Sequence, residues 1–213
     1  MKLTDYDLII WDFNGTILDD TAACLSIMNG FLSDYGLQPL SLQEYREGFS
    51  FPVEEYYEKL GLTAFESFNV LADRFVELYH NKIIDMKVFE DVEELVKKLK
   101  QEGIKQIILS ASKQDILEEQ LQKVELTGYF TAILGINDIY AKSKVEIGEI
   151  WLKENAGTFM RKLLIGDSEH DYETAKLLKT DCLLCCRGHI SKDRLRATGE
   201  VVVDDFKELL FNE

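Results

Sequence analysis

Six short apolar runs punctuate the chain, at Leu8–Trp11, Lys105–Leu109, Thr131–Leu134, Lys162–Ile165, Cys182–Cys186 and Glu200–Val203. Segments with helical periodicity lie between them. One is Val92–Gln101, which Gly103 is placed to close as a C-terminal cap. Alternation of strand and helix predicts an α/β fold, a parallel sheet with helices on both faces. In such sheets the site lies at the carboxyl ends of the strands.

One region breaks the alternation. Between Thr16 and about Ile84 no run reads as a strand. Asp19–Tyr35 reads as a helix. Ser41-Leu42-Gln43-Glu44 has the form of a capping box. Ser50-Phe51-Pro52 opens a further helix that Gly61 ends, and Thr63–His80 reads as a long amphipathic helix. The expected organisation is a core of residues 1–16 and 86–213 with a helical insert, 17–85, directly after the first strand. An insert at that point lies over the site like a lid, with hinges near Thr16–Leu18 and Ile83–Lys87.

At 213 residues the chain is long enough for one full core and a small accessory unit. Its formal net charge of −15 argues against nucleic acid or an anionic membrane as partner, since both need basic patches. No apolar run approaches the roughly 18 residues of a membrane span. The first residues do not read as a signal peptide, so a cytoplasmic protein, a monomer or weak dimer, is expected. Three of the four cysteines form Cys182-Leu183-Leu184-Cys185-Cys186, with no second ligand pair at zinc-site spacing. Strand periodicity puts Cys182 and Cys186 on one face and Cys185 on the other, as small buried side chains.

Four stretches fall at strand ends: Asp12-Phe13-Asn14-Gly15-Thr16, Ser110-Ala111-Ser112, Lys144 at the start of a helix, and Gly166-Asp167-Ser168-Glu169-His170-Asp171. Together they supply carboxylates, a hydroxyl, a lysine and exposed backbone N–H groups. Phosphoryl transfer asks for that set: a nucleophile, positive charge, and donors for the equatorial oxygens. Magnesium prefers such oxygen ligands. Singly each stretch has a plainer reading as a turn, a cap or a first-turn lysine. It is their order along the chain that points to chemistry.

The ordered set resembles the haloacid dehalogenase superfamily, specifically its phosphoglycolate-phosphatase-like branch with a helical cap. The resemblance covers nearly the whole chain and implies a Rossmann-like core, a small phosphorylated metabolite as substrate and Mg²⁺ as cofactor. It implies Asp12 as nucleophile, Ser110 as the phosphoryl-holding hydroxyl and Lys144 as the bridging cation, with Lys142 as a rival. Asp12, Asp167 and the backbone carbonyl of Asn14 are the implied metal ligands, with Asp171 in support. Thr16 and Ala111 on the core, and Arg46 and Gly48 on the cap, are the expected substrate contacts.

Asn14 departs from the pattern, because phosphatases of this family usually carry an aspartate there as acid and base. An amide exchanges no proton near neutral pH, whereas its backbone carbonyl is an equally good metal ligand. The departure therefore spares metal binding and removes help typically worth about 10²- to 10⁴-fold. His170 and Glu169 are the nearby substitutes. The readings left open are a slow or specialised magnesium phosphatase, an impaired ligand-binding or regulatory protein, and a phosphonatase-like hydrolase using a cap lysine, Lys59. The cap aromatics Phe31, Tyr35, Tyr45, Phe49, Phe51, Tyr56 and Tyr57 are expected to form the cap's own core.

Overall fold

A computed structural model of the chain describes residues 1–82, 86–136 and 143–207, together with Leu209. Strand β1 (Leu8–Trp11) is followed by α1 (Thr21–Asp34), α2 (Leu42–Gly48), α3 (Val53–Lys59) and α4 (Phe68–Lys82). Then come α5 (Glu90–Gln101), β2 (Lys105–Lys113), α6 (Gln114–Lys123), β3 (Ala132–Ile136) and α7 (Lys144–Glu154). The chain finishes with β4 (Lys162–Gly166), α8 (Glu169–Leu178), β5 (Asp181–Cys185), α9 (Lys192–Ala197) and β6 (Val201–Val203).

The six strands form one sheet in the order β3-β2-β1-β4-β5-β6, and every neighbouring pair is parallel. β1 lies between β2 and β4, with Trp11 opposite Ile108 on one side and Ile165 on the other. The strand order reverses here, so the residues just beyond Trp11, Ile108 and Ile165 converge at the crevice where such sheets bind ligands.

Period-two alternation sorts the strand side chains into two cores. Ile9, Trp11, Leu183 and Cys185 pack on one face with Val92, Leu95, Val96 and Leu99 of α5. Leu8, Ile10, Cys182 and Leu184 pack on the other with Ala175 and Leu178 of α8. The cysteines thus divide between the faces as the sequence periodicity predicts, and Cys186 packs partly buried on the Cys182 side. Trp11 Nε1 donates to Gln106 Oε1 at 3.0 Å, and Gln106 Nε2 to the Val96 carbonyl at 2.9 Å, so these two buried side chains satisfy each other and the α5 backbone.

β2 runs four residues beyond its apolar stretch. Its register with β3 shifts between Leu109 and Lys113, which bends the strand and presents Ser110–Ser112 at the crevice. The long helix expected over 63–80 is divided into a 3₁₀ turn, Leu62–Ala64, and α4.

Helices α1 to α4 bury a third core around Phe31, Tyr45, Tyr56, Tyr57, Leu62 and Leu71. α2 carries the expected capping box between Ser41 and Glu44. The two crossings between insert and sheet run side by side. Leu18 bridges Val88, Asp19 N–H donates to the Lys87 carbonyl at 2.9 Å, and Phe89 N–H to Ile17 at 3.1 Å. Residues 83–85, in the second expected hinge, lie outside those described. Among the described residues no helix is long and apolar enough to cross a membrane.

Candidate active site

Asp12 follows β1 directly and is 8 % exposed. Its Oδ1 accepts from Lys144 Nζ at 2.9 Å and its Oδ2 from Thr16 Oγ1 at 3.2 Å. Lys144, the first residue of α7, also pairs with Asp171. Ser168 caps α8, and Asp171 completes that cap by accepting from the Ser168 N–H at 3.0 Å and its hydroxyl at 2.6 Å. One helix start therefore fixes both Asp167 and Asp171. Lys142 lies outside the described residues.

Asp12, Asp167 and Asp171 are all buried, and each offers an oxygen within 4.8 Å of the others. Burial, helped by the Asp171 charge and opposed by Lys144, pushes the Asp12 carboxyl up to about 8. Burial likewise pushes Asp167 up to about 6. Asp171 is also buried, but the Lys144 ammonium outweighs that and holds it below the usual range. Three carboxylates face one lysine, so the site is short of positive charge. An all-oxygen donor set of this kind fits a hard divalent cation.

Two glycines let these groups meet. Gly15 has φ +74°, and a Cβ there would stand 2.5 Å from Asp167 Oδ2 and 2.6 Å from His189 Cδ2. A Cβ on Gly188 would collide with Asp167, whose Oδ2 accepts the His189 N–H at 2.5 Å.

Asn14 is read at both ends of its amide. Oδ1 accepts from Ser112 Oγ at 2.8 Å, while Nδ2 donates to Asp20 Oδ2 at 3.1 Å and to Tyr79 Oη at 2.6 Å. Asp20 also accepts from Gly15 N–H at 2.8 Å, from Tyr79 Oη at 2.6 Å and from His189 Nε2 at 3.1 Å. Burial disfavours the Asp20 charge, but His189 and these donors outweigh it and lower its pKa. The same pairing, also against burial, lifts His189 to about 9. Tyr45 Oη lies 3.0 Å from His189 Nδ1. Asp20, Cys24 and His189 also bring ligand atoms within 4.8 Å of one another. Their polar atoms are already engaged in this network, which accounts for the cluster without a metal.

A cavity of about 450 Å³ opens above Asp12, walled by both sheet and insert. Asp12, Asn14, Ser110, Ala111, Lys144 and Asp167 line it from the sheet side. Ser110 is buried and its hydroxyl accepts from Ser112 N–H at 3.1 Å.

The profile of the haloacid dehalogenase-like hydrolases matches residues 9–185, and that span holds Asp12, Ser110, Lys144, Asp167 and Asp171. The chain belongs to this family. Among its relatives, the phosphoglycolate phosphatase of Agrobacterium fabrum is 23% identical over 210 residues, covering 95% of this chain and 90% of its own. The phosphoglycolate phosphatase of Aliivibrio fischeri is 23% identical over 219 residues, covering 97% and 96%. A Clostridium acetobutylicum structure described as a predicted phosphatase superposes with TM-score 0.78 at 20% identity, over 96% of each chain, and so shares the fold.

In this hydrolase the insert residues read from sequence as substrate contacts lie off the cavity wall. Arg46 Nε donates to the Gly188 carbonyl at 2.8 Å and its Nη2 to the Arg187 carbonyl. Gly48 faces the Tyr56 ring. Lys59 reaches Ser50 Oγ at 3.4 Å, outside the cavity, which removes the lysine that a phosphonatase-like reading requires. Glu169 is turned to Arg194, with Arg194 Nε donating at 2.9 Å, whereas His170 does line the cavity. The insert aromatics serve two purposes, because Tyr45, Phe49, Phe51 and Tyr57 line the cavity as well as packing against one another. Asp20, Tyr79 and His189 had no site role in the sequence reading, and Ser112 entered it only within the Ser110–Ser112 stretch. His189 lies shortly after β5, and the rule that sites gather at strand carboxyl ends is the signal that points to it.

Proposed function

We propose that this hydrolase is a magnesium-dependent phosphatase of small phosphomonoesters that works through an aspartyl-phosphate on Asp12. The observation carrying this reading is the Asp12 carboxylate on the cavity floor, oriented by Lys144 at 2.9 Å and Thr16 at 3.2 Å. One Asp12 oxygen attacks phosphorus. Ser110 and the backbone N–H groups beyond β1 hold the equatorial oxygens, and Lys144 balances charge between nucleophile and phosphate. Asp12, Asp167 and the Asn14 carbonyl would hold magnesium, with Asp171 orienting Lys144 and the α8 cap behind them. Bound magnesium supplies the positive charge that lets a dianionic phosphate approach three carboxylates. Residues 1–16 and 86–213 act as the catalytic core and 17–85 as a cap. The names of the relatives support the reaction class. The acidic net charge and four free cysteines accord with a reducing cytoplasm.

A second reading, a phosphate-ligand-binding protein that turns over little, has one observation in its favour: the Asn14 amide can neither give nor take a proton. Rapid-quench kinetics with p-nitrophenyl phosphate and magnesium separate the two. A burst of nitrophenol from the first step, followed by a slower steady state, is the expected result, since breakdown of the aspartyl-phosphate needs a base that Asn14 does not provide. Asp12→Ala or excess chelator should remove both phases. Undiminished turnover in chelator would defeat the magnesium reading, and a burst with no steady state would favour the binding protein.

A further inference from the structure

The insert side of the cavity is built mainly from hydrocarbon. Met28, Phe49, Phe51, Val53, Phe75 and Val76 face it. Phe51 and Val76 are each 46 % exposed, which is a cost in water unless something apolar covers them. The insert's polar groups on this wall are largely committed to one another: Asp20 to His189 and Tyr79, Tyr45 to His189, Cys24 to Asp20. Positive charge for a second anionic group on a substrate is equally scarce. Lys144 is held by Asp12 and Asp171. Among the described residues that leaves Lys113, which is exposed, as the lysine on the wall outside these pairs. A volume of about 450 Å³ lies within the range of ~300–1,000 Å³ that takes a drug-sized ligand, and exceeds what a two-carbon acid would fill.

Asn14 points the same way by an independent route. Asn14 gives the leaving oxygen no proton, and ester cleavage without an acid is fast only when that oxygen departs readily as an anion. A phenol ionises near 10, whereas an alkyl alcohol lies close to water, at about 16.

We infer that the substrate is the phosphate monoester of an apolar, phenol-type alcohol, its ring seated against Phe49, Phe51 and Val76 while its phosphate reaches Asp12. The inference rests on the phosphatase reading above. In the first step a bond forms between an Asp12 carboxylate oxygen and phosphorus. The bond from phosphorus to the aryl oxygen breaks, its electron pair stays on that oxygen, and the phenolate takes its proton from solvent. In the second step water adds to phosphorus, inorganic phosphate leaves and the Asp12 carboxylate is restored, with the water proton passing to solvent or phosphate.

The test is kcat/KM for 1-naphthyl, phenyl, cyclohexyl, ethyl and glycolate phosphates with the intact chain and magnesium. Naphthyl phosphate should lead and glycolate phosphate should trail. Cyclohexyl phosphate should show a low KM with a low kcat, which separates fit to the wall from leaving-group ability. Phe51→Ser, at a half-exposed position, should lower the naphthyl-to-ethyl selectivity by on the order of tenfold, and Phe51→Leu should retain most of it. Faster turnover of glycolate phosphate than of either aryl ester, or selectivity unmoved by Phe51→Ser, would overturn the inference and leave the phosphatase standing. Release of phosphate from none of the five would overturn both.

Discussion

Asn14 carries the residue-level argument, because its surroundings suit an amide at each end. Ser112 needs an acceptor, and the buried Asp20 needs a donor. An aspartate in its place would set a second carboxylate oxygen about where Nδ2 now donates, 3.1 Å from Asp20 Oδ2. Asn14→Asp should therefore lower stability by about 1–3 kcal/mol, since a buried hydrogen bond gives way to a repulsive contact. The same change puts a proton carrier beside the scissile oxygen. It should raise steady-state turnover of alkyl esters by on the order of 10²-fold, with a smaller gain on aryl esters. Urea unfolding and steady-state kinetics on one preparation check both halves. A variant as stable as the parent and no faster on ethyl phosphate would mean that another group already serves as acid and base. The divided legibility of the site follows from the same contacts. Asp12, Lys144, Asp167 and Asp171 were readable because each stands at a strand end or helix start, a local property. Asp20 and His189 meet across 169 positions of sequence, and Tyr79 reaches Asn14 across 65, so only the folded chain brings them together.

Among the elements, those with both faces buried were the most legible. β1 and β5 alternate between two apolar cores, and their ends fall within a residue or so of the apolar runs. β2 extends past its apolar run because pairing with β3 resumes at Lys113 beyond a bulge, which hydropathy does not register. α1 begins at Thr21, two residues later than its pattern, because Asp20 turns its carboxylate to the Gly15 N–H rather than to its own helix. α5 begins at Glu90, earlier than its apolar stripe, and there Asp91 anchors it. Both Asp91 oxygens accept from Arg187 Nη1, at 2.7 and 2.8 Å, and Oδ2 also accepts the Phe206 N–H at 2.7 Å. Asp91 thus ties a helix, the turn after β5 and the segment after β6 together. Asp91→Ala leaves a partly buried guanidinium without its carboxylate and should cost about 3–5 kcal/mol. Chemical denaturation measures this directly. A loss below about 1 kcal/mol would mean that stacking on the Phe89 ring, 3.9 Å away, holds Arg187 without the ion pair.

Considered as a molecule, the chain is a sheet with a helical insert joined to it by two paired crossings, by the buried bonds of Tyr79 to Asn14 and of Asp20 and Tyr45 to His189, and by a compact latch. The crossings bond to each other at Asp19–Lys87 and Ile17–Phe89, so they move together. The latch lies beside the cavity. Arg46 holds the carbonyls of Arg187 and Gly188, Ser191 N–H donates to the Arg46 carbonyl at 3.1 Å, and Arg194 reaches the Phe49 carbonyl at 2.5 Å. Because these bonds involve backbone carbonyls and a charged donor, they can open to water at modest cost, whereas the third apolar core inside the insert cannot. The insert should therefore pivot as a unit on the paired crossings, with the Arg46 latch breaking first. Arg46→Ala should accordingly speed thermolysin cleavage in the crossings and raise KM for polar and aryl esters alike, without changing the ratio between them. Tungstate with magnesium, a phosphate mimic at Asp12, should slow cleavage of the parent and restore part of the protection in the variant. A substrate-contacting arginine would instead shift selectivity and leave cleavage unchanged. Equal cleavage of both proteins, with and without tungstate, would mean that the insert is fixed and that substrate enters without any opening of the latch.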